Sequence, residues 1–371
     1  MDINAIQALG TQVLWASFLL SAAFGVIAQR THFCTMGAVS DIVSMGDWTR
    51  MRMWALAAGV AMTGFFTLAA AGLLDPAKTL YASNRFIWLS ALVGGALFGV
   101  GMVLASGCGS KTLIRIGGGN LKSLVVFIVM GLSAFATLKG ITAVLRVASV
   151  DRVALELKGP ATLPHWLAGL TGWPIATTGL VLGLGIGAAL ILWAVLSPSF
   201  RRFDNWLAGL GLGGVIIAMW WVSASLGYVA EHPETLQEAF LTTNSGRAEA
   251  LSFVSPIAYA LDWLMFFSDK SKVLTLGIVS VVGVVVGAAT YALASGSFRW
   301  EGFRDTRDTA NHLLGAVLMG VGGVTAMGCT IGQGLSGLST LSLTSLVAVV
   351  GIVAGAYAGL RFQIWHLERS L

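Results

Sequence analysis

The sequence predicts an all-α integral membrane protein, with about nine transmembrane helices, short re-entrant helices between them and an inverted internal repeat. Three observations carry this. Hydrophobic residues make up 56% of the 371-residue chain and charged residues only 11%, against about 45–50% and about 25% in soluble domains. Apolar runs of about 20 residues, the length a helix needs to cross a bilayer, recur from end to end. A ten-residue pattern in the first half also returns in the second.

The spans fall at about 9–28, 51–74, 86–106, 121–139, 175–196, 206–228, 273–295, 310–327 and 340–361. The chain opens with Met1-Asp2-Ile3-Asn4, which lacks a positive n-region, and no A-x-A site follows Ala28. The first run therefore reads as a retained span and not as a signal peptide. Four further apolar pieces, about 33–45, 108–116, 256–267 and 329–338, are too short to cross and read as re-entrant or interfacial. Non-helical backbone at membrane depth is tolerated only where protein or a water-filled cavity surrounds it. Polar stretches at about 146–173 and 229–255 form the two long loops. Gly95-x-x-x-Gly99, Gly183-x-x-x-Gly187, Gly283-x-x-x-Gly287 and Gly351-x-x-x-Gly355 are patterns that let helix backbones approach closely.

Basic residues orient the chain. With the N-terminus outside and nine alternating spans, the cytoplasmic side receives Arg30, Arg50, Arg52, Lys111, Arg115, Lys122, Arg201, Arg202, Arg299, Arg304, Arg307, Arg361 and Arg369, 13 of the 22 Lys and Arg. The rest lie mostly in the two longest loops, where charge counts least. The acidic loop carrying Glu231, Glu234, Glu238 and Glu249 falls outside. Because the basic residues sit in short loops, the net charge of +5 matches lipid headgroups and not nucleic acid. Under this N-out, C-in topology the repeat is inverted. Gly99-Val100-Gly101-x-Val103-x-Ala105-x-Gly107-Cys108 matches Gly320-Val321-Gly322-x-Val324-x-Ala326-x-Gly328-Cys329, and Ser123-Leu124-Val125 matches Ser345-Leu346-Val347. The repeat-related segments are 86–139 and 310–361, within one membrane domain covering 1–371. Inverted repeats recur in transporters, with the substrate site near the midplane.

Chemistry concentrates at the three cysteines, which read Thr31-His32-Phe33-Cys34-Thr35-Met36-Gly37, Ser106-Gly107-Cys108-Gly109-Ser110-Lys111 and Met327-Gly328-Cys329-Thr330-Ile331-Gly332-Gln333. An odd count without a C-x-x-C pair argues against a disulfide framework or a structural zinc site, and no metal or cofactor site is read. Gly107, Gly109 and Gly328 permit tight turns and expose backbone N–H groups. Short half-helices opening at Cys108 and Cys329 would aim their positive ends at the bundle centre, where they favour anions. Ser106, Ser110, Thr112, Thr330 and Gln333 add neutral donors. Only Asp41 and Asp262 fall in apolar segments, both in short pieces. A lining rich in donors and poor in carboxylates suits an anion and disfavours a cation or a proton relay.

A thiol S–H is a weak donor and its sulfur a weak, polarisable acceptor. Neutral thiols can pass an anion along by weak hydrogen bonds, firm enough to admit it and loose enough to release it. A soft, sulfur-bearing oxyanion matches such a lining best. A lone cysteine packs as a small hydrophobe, but three in matching Gly/Ser/Thr settings have no packing need for those neighbours. Lys111 either attracts an anion to the cytoplasmic mouth or snorkels. His32, beside Arg30, reads as interfacial. Gly117-Gly118-Gly119-Asn120 lacks the G-K-[ST] ending of a phosphate loop and reads as a turn. Trp300 and Trp365 fit an interfacial belt.

The stretch Ser106-Gly107-Cys108-Gly109-Ser110-Lys111-Thr112-Leu113-Ile114-Arg115, followed by Gly117-Gly118-Gly119-Asn120-Leu121-Lys122-Ser123-Leu124, resembles the YeeE/YedE sulphur transport family. So do Gly328-Cys329-Thr330-Ile331-Gly332-Gln333-Gly334-Leu335-Ser336-Gly337 and Arg30-Thr31-His32-Phe33-Cys34. Two stretches without cysteine, Leu251-Ser252-Phe253-Val254-Ser255-Pro256 and Ser297-Phe298-Arg299-Trp300-Glu301-Gly302-Phe303-Arg304, are similar to the longer members. The resemblance implies a bacterial inner-membrane protein that takes up thiosulfate through aligned cysteines, here Cys34, Cys108 and Cys329. It also implies a small cytoplasmic sulfur-carrier protein as partner; some members are linked to selenium instead. Segment 146–173 belongs to none of these motifs.

The expected function is thus transport of a small sulfur oxyanion, most simply thiosulfate, into the cytoplasm, and not enzymatic. The rivals are a selenium-compound transporter, a membrane thiol oxidoreductase and a structural subunit in which the cysteines merely pack. The oxidoreductase would want a resolving cysteine pair, which this chain lacks.

Overall fold

Hydrocarbon offers backbone groups no partners, so a chain this apolar must satisfy them within helices. The computed structural model describes residues 3–370; Met1 and Asp2, cited for the missing n-region, lie outside the described residues. The long helices are α1 (Ile3–Arg30), α3 (Thr49–Ala70), α4 (Trp88–Leu104), α6 (Leu121–Lys139), α9 (Ile175–Val195), α10 (Phe203–Leu226), α12 (Leu276–Ala294), α13 (Thr306–Thr325) and α15 (Leu343–Ser370). Between them lie the short α2 (Thr35–Met45), α5 (Gly109–Gly117), α7 (Ile141–Ala148), α8 (Leu163–Thr171), α11 (Val254–Met265) and α14 (330–339). Helices α2, α5, α11 and α14 fall on the four pieces predicted to be too short to cross.

Among the described residues, eight helical stretches are long and apolar enough to span a membrane. The remaining predicted span, 310–327, corresponds to α13, which has full length but begins with Arg307, Asp308 and His312, which takes it below that level of apolarity. Arg307 stays exposed, while the half-buried Asp308 and the buried His312 are paired: Lys122 Nζ lies 2.9 Å from Asp308, and His312 Nδ1 lies 3.0 Å from the same carboxylate.

Glycine sets the helix packing. On α4, a Cβ at Gly95 would lie 2.5 Å from the Ala348 carbonyl of the parallel α15. A Cβ at Gly94 would lie 2.5 Å from Ala326 N at the end of the antiparallel α13. Gly283 and Gly287 of α12 press on Ala22 of α1, Gly183 and Gly187 of α9 on Phe66 and Thr63 of α3, and Gly351 and Gly355 of α15 on Leu92 and Ala96 of α4. All four four-residue patterns are therefore contact surfaces, where small residues gain van der Waals area at backbone distance.

The stretches predicted as loops are partly folded. Segment 146–173 carries α8 and the strand Leu155–Glu156, which pairs antiparallel with Arg85–Phe86. It is pinned by Asp151, which accepts a hydrogen bond from Ser90 Oγ at 2.6 Å and ion-pairs with Arg146 Nε at 3.1 Å. Preceding it, α7 exposes Ile141, Val144, Leu145 and Val147. Segment 229–255 starts as a two-stranded hairpin, Tyr228–Val229 with Ala239–Phe240, but its end turns inward. Leu251, Phe253 and Val254 are fully buried.

Candidate functional site

At each cysteine the chain makes the same local turn. A long helix closes on a residue in the left-handed region, at His32 (φ 52°), Ser106 (φ 56°) and Met327 (φ 56°). The next N–H reaches back five residues, Phe33 to Ala28 (3.2 Å), Gly107 to Met102 (2.8 Å) and Gly328 to Gly323 (2.8 Å), the pattern that satisfies a helix's last carbonyls. The residue after that is the cysteine, and it opens a short helix. Gly107 and Gly328 serve the turn alike: a Cβ at either would lie 3.1 Å from a side-chain carbon four or five residues on, Lys111 Cγ and Gln333 Cγ.

Placed as N-caps, two of the sulfurs accept hydrogen bonds from the first turn. Gly37 N–H lies 3.4 Å from Cys34 Sγ, and Gly332 N–H lies 3.5 Å from Cys329 Sγ; the Cys108 sulfur makes no such capping bond. Ser110 Oγ is 3.2 Å from Cys108 Sγ. The three helices then converge. The Cys34 and Cys108 thiols are neighbours, and the Thr330 hydroxyl, from the start of α14, lies beside the Cys108 thiol. Cys108 and Cys329 are fully buried and Cys34 nearly so. Phe253 N–H lies near the Cys329 sulfur.

Buried donors with no conventional partner cluster here. Thr35 Oγ1, Thr330 Oγ1 and the Trp54 indole N–H make no hydrogen bond of ordinary geometry; Trp54 stacks on Phe33 at 5.8 Å and touches Gly334. An unpaired buried polar group costs about 1–3 kcal/mol, so the site holds donor capacity that an acceptor-rich ligand would use.

The other predicted residues take distinct places. Lys111 is close enough to both thiols to interact with their charge, together with Arg115 and Arg50. Gly109 has ordinary contacts, 3.7 Å or more, with Val254, Met130 and Phe253. Gln333 is used structurally: its Nε2 donates to Ala326 O at 2.6 Å and its Oε1 accepts from Ser345 Oγ at 2.5 Å, bracing the end of α13. It sits in a π-helical stretch, Gly332–Gly337, a distortion frequent at functional sites. Asp41 and Asp262 are paired with Arg50 (3.2 Å) and Lys272 (2.5 Å).

Sequence reasoning missed Arg50, whose guanidinium fills the space above Gly37 where a Cβ would stand, and Tyr81, whose hydroxyl donates to Gly332 O at 2.5 Å. Within the loop carrying the four acids, Glu231, Glu234 and Glu238 are exposed, whereas Glu249 is half-buried beside Ala250 and Leu251.

Helices in bilayer lengths, broken at buried thiols among spare donors, define a multi-pass membrane protein. The chain belongs to the Sulphur transport family, whose model matches residues 30–358. It is similar to the thiosulfate transporter TsuA of Escherichia coli (strain K12), with 28% identity over 330 residues and 87% of each chain covered. It is likewise similar to the thiosulfate transporter TsuA of Spirochaeta thermophila, with 27% identity over 342 residues covering 88% of this chain and 91% of that one.

Proposed function

We propose that this protein is a thiosulfate transporter of the bacterial inner membrane, not an enzyme, with its N-terminus outside and its C-terminus in the cytoplasm. Thiosulfate moves inward past Cys34, Cys108 and Cys329, within one membrane domain built from inverted repeat segments 86–139 and 310–361. The observation that carries this reading is the meeting of three helix N-termini at the Cys108 thiol. Positive helix ends, neutral donors and soft sulfur suit a sulfur-bearing dianion. The left-handed turns at Ser106 and Met327, each two residues before a cysteine, support the repeat.

A dianion entering a negative-inside cell climbs about 4.6 kcal/mol per 100 mV. Net uptake therefore depends on consumption inside, by a sulfur-carrier protein docking at the cytoplasmic face. The test is uptake of isotope-labelled thiosulfate into proteoliposomes holding the purified protein, with and without a sulfur acceptor inside. Saturable uptake that thiosulfate, but not sulfate or selenium oxyanions, competes away is expected, with accumulation only when the acceptor is present. Preference for a selenium oxyanion, or no uptake at all, would overturn the reading.

A further inference from the structure

At the face where α1 begins, a cavity of about 240 Å³ is walled by Tyr81, Glu249, Ser252, Tyr259, Gly277 and Met327. Its floor abuts the third cysteine. Tyr81 bonds Gly332 O, Ser252 packs against Gly332, and the N–H of the residue after Ser252 lies near Cys329 Sγ.

Glu249 contributes the carboxyl of this cavity, and both its oxygens are held by neutral donors. Asn244 N–H reaches Oε1 at 3.0 Å and Ser245 Oγ reaches Oε2 at 3.2 Å. The Glu249 backbone N–H is bonded to Ser223 Oγ of α10 at 2.9 Å. The cations nearby are engaged elsewhere: Arg146, which lines the same cavity, pairs with Asp151 at 3.1 Å, Arg247 donates to the Thr79 and Ala82 carbonyls, and Lys78 pairs with Glu238. The remaining walls bring uncharged groups, Leu138 from α6, Ser255 and Pro256 from α11, Leu276 from α12 and Val324 from α13. The other titratable neighbours are the phenols of Tyr81 and Tyr259, both held further toward the protonated form by burial, and the Cys329 thiol beyond Tyr81.

We propose that Glu249 is the proton site that admits the anion. As a carboxylic acid it lets a dianion into the cavity above Cys329 and donates its O–H to it; as a carboxylate it shuts the cavity by like-charge repulsion. The only bond made or broken is the carboxyl O–H, and the proton comes from and returns to the solution on that side. Burial pushes the Glu249 carboxyl up to about 7, so both forms are populated near neutrality. The assignment rests on the thiosulfate reading above.

The test is the initial rate of labelled thiosulfate uptake as the outer pH is varied from about 5.5 to about 8.5, with the inner pH buffered; thiosulfate is a dianion throughout this range. Wild-type uptake is expected to fall about tenfold between pH 6 and pH 8, and E249Q, uncharged at every pH, is expected to give a flat profile. A pH profile shared by E249Q and wild type, or a flat wild-type profile, overturns the proposal. A second measurement needs no variant: thermal stabilisation of the purified wild-type protein by thiosulfate. Its apparent affinity is expected to weaken about tenfold from pH 6 to pH 8, and equal affinity at both overturns the proposal. Silence toward thiosulfate at every pH, in uptake and in stabilisation, instead overturns the transporter reading beneath it.

Discussion

At Ser106 and at Met327 the chain makes one manoeuvre at the ends of two antiparallel helices, α4 and α13. Both residues hold φ 56°, and both turns deliver a cysteine to the start of a short helix. The surroundings differ. Beside Ser106, a cavity of about 250 Å³ is lined by Arg115, Lys122, Arg304 and His312 against Glu301 and Asp308. Lys122 is buried there, 2.9 Å from Asp308 and 3.5 Å from Glu301. Beside Met327 the lining mixes aromatic and aliphatic groups with the hydroxyls of Ser252 and Ser255, with Arg146 as its cation and Glu249 as its acid. The backbone motif delivers a sulfur to a helix start at each turn, while segments outside the motif choose the charge beside it. The surroundings of the two turns can therefore differ without moving a thiol.

The comparison breaks most severely if the shared groove is filled. In Gly322→Val the new side chain would meet Phe98 N at 2.5 Å and Gly94 O at 2.6 Å, a backbone clash with no flexible neighbour to yield. A loss of about 3 kcal/mol is expected, seen as a collapsed yield of monodisperse protein in detergent.

Next come the thiols themselves. Cys108→Ala and Cys329→Ala should each lower thiosulfate uptake at least about tenfold, while destabilising the fold by only about 0.5–1.5 kcal/mol, as for other small truncations. Serine at the same positions keeps a donor and loses the soft sulfur; wild-type uptake in the serine variants would remove sulfur chemistry from the account.

The cavity beside Ser106 is separated from the other by Lys122→Met, which removes the cation from the half-buried Asp308 and the exposed Glu301. A loss of about 1 kcal/mol is expected, since Asp308 keeps the Arg304 N–H and His312, readable as a lower melting temperature. Beside Met327 the sign of the charge effect reverses. Glu249 holds its proton up to about 7 when folded, against the usual 4.5. The folded state therefore binds a proton that the unfolded chain has already released, and stability falls as pH rises from about 4.5 to about 7. Melting at a series of pH values should show this decline in wild type and its loss in E249Q.

The finest comparison is backbone against backbone. Ser106→Gly and Met327→Gly each relieve a left-handed non-glycine residue, so matched gains of about 0.5–1 kcal/mol are expected in chemical denaturation. Unequal gains would mean that the two turns are strained to different degrees despite their equal φ.

Much of this was legible in the chain itself. The apolar run lengths, the glycines at four-residue spacing and the small-residue breaks around each cysteine act over a few neighbouring residues. They placed the short helices within about three residues of α2, α5, α11 and α14, and set each cysteine at a helix start, because hydrocarbon leaves the backbone no alternative to local hydrogen bonding. Tertiary structure alone decided which of those residues meet. Cys34 and Cys108 become neighbours across 74 positions of chain, Gln333 is diverted to hold Ala326 and Ser345, and Lys122 rescues the polar start of α13. Glu249, three residues after the loop glycine Gly246, is carried inward only because Leu251, Phe253 and Val254 are buried behind it. The burial of a charge and the pairing of a donor depend on atoms brought from distant segments, which no local pattern encodes.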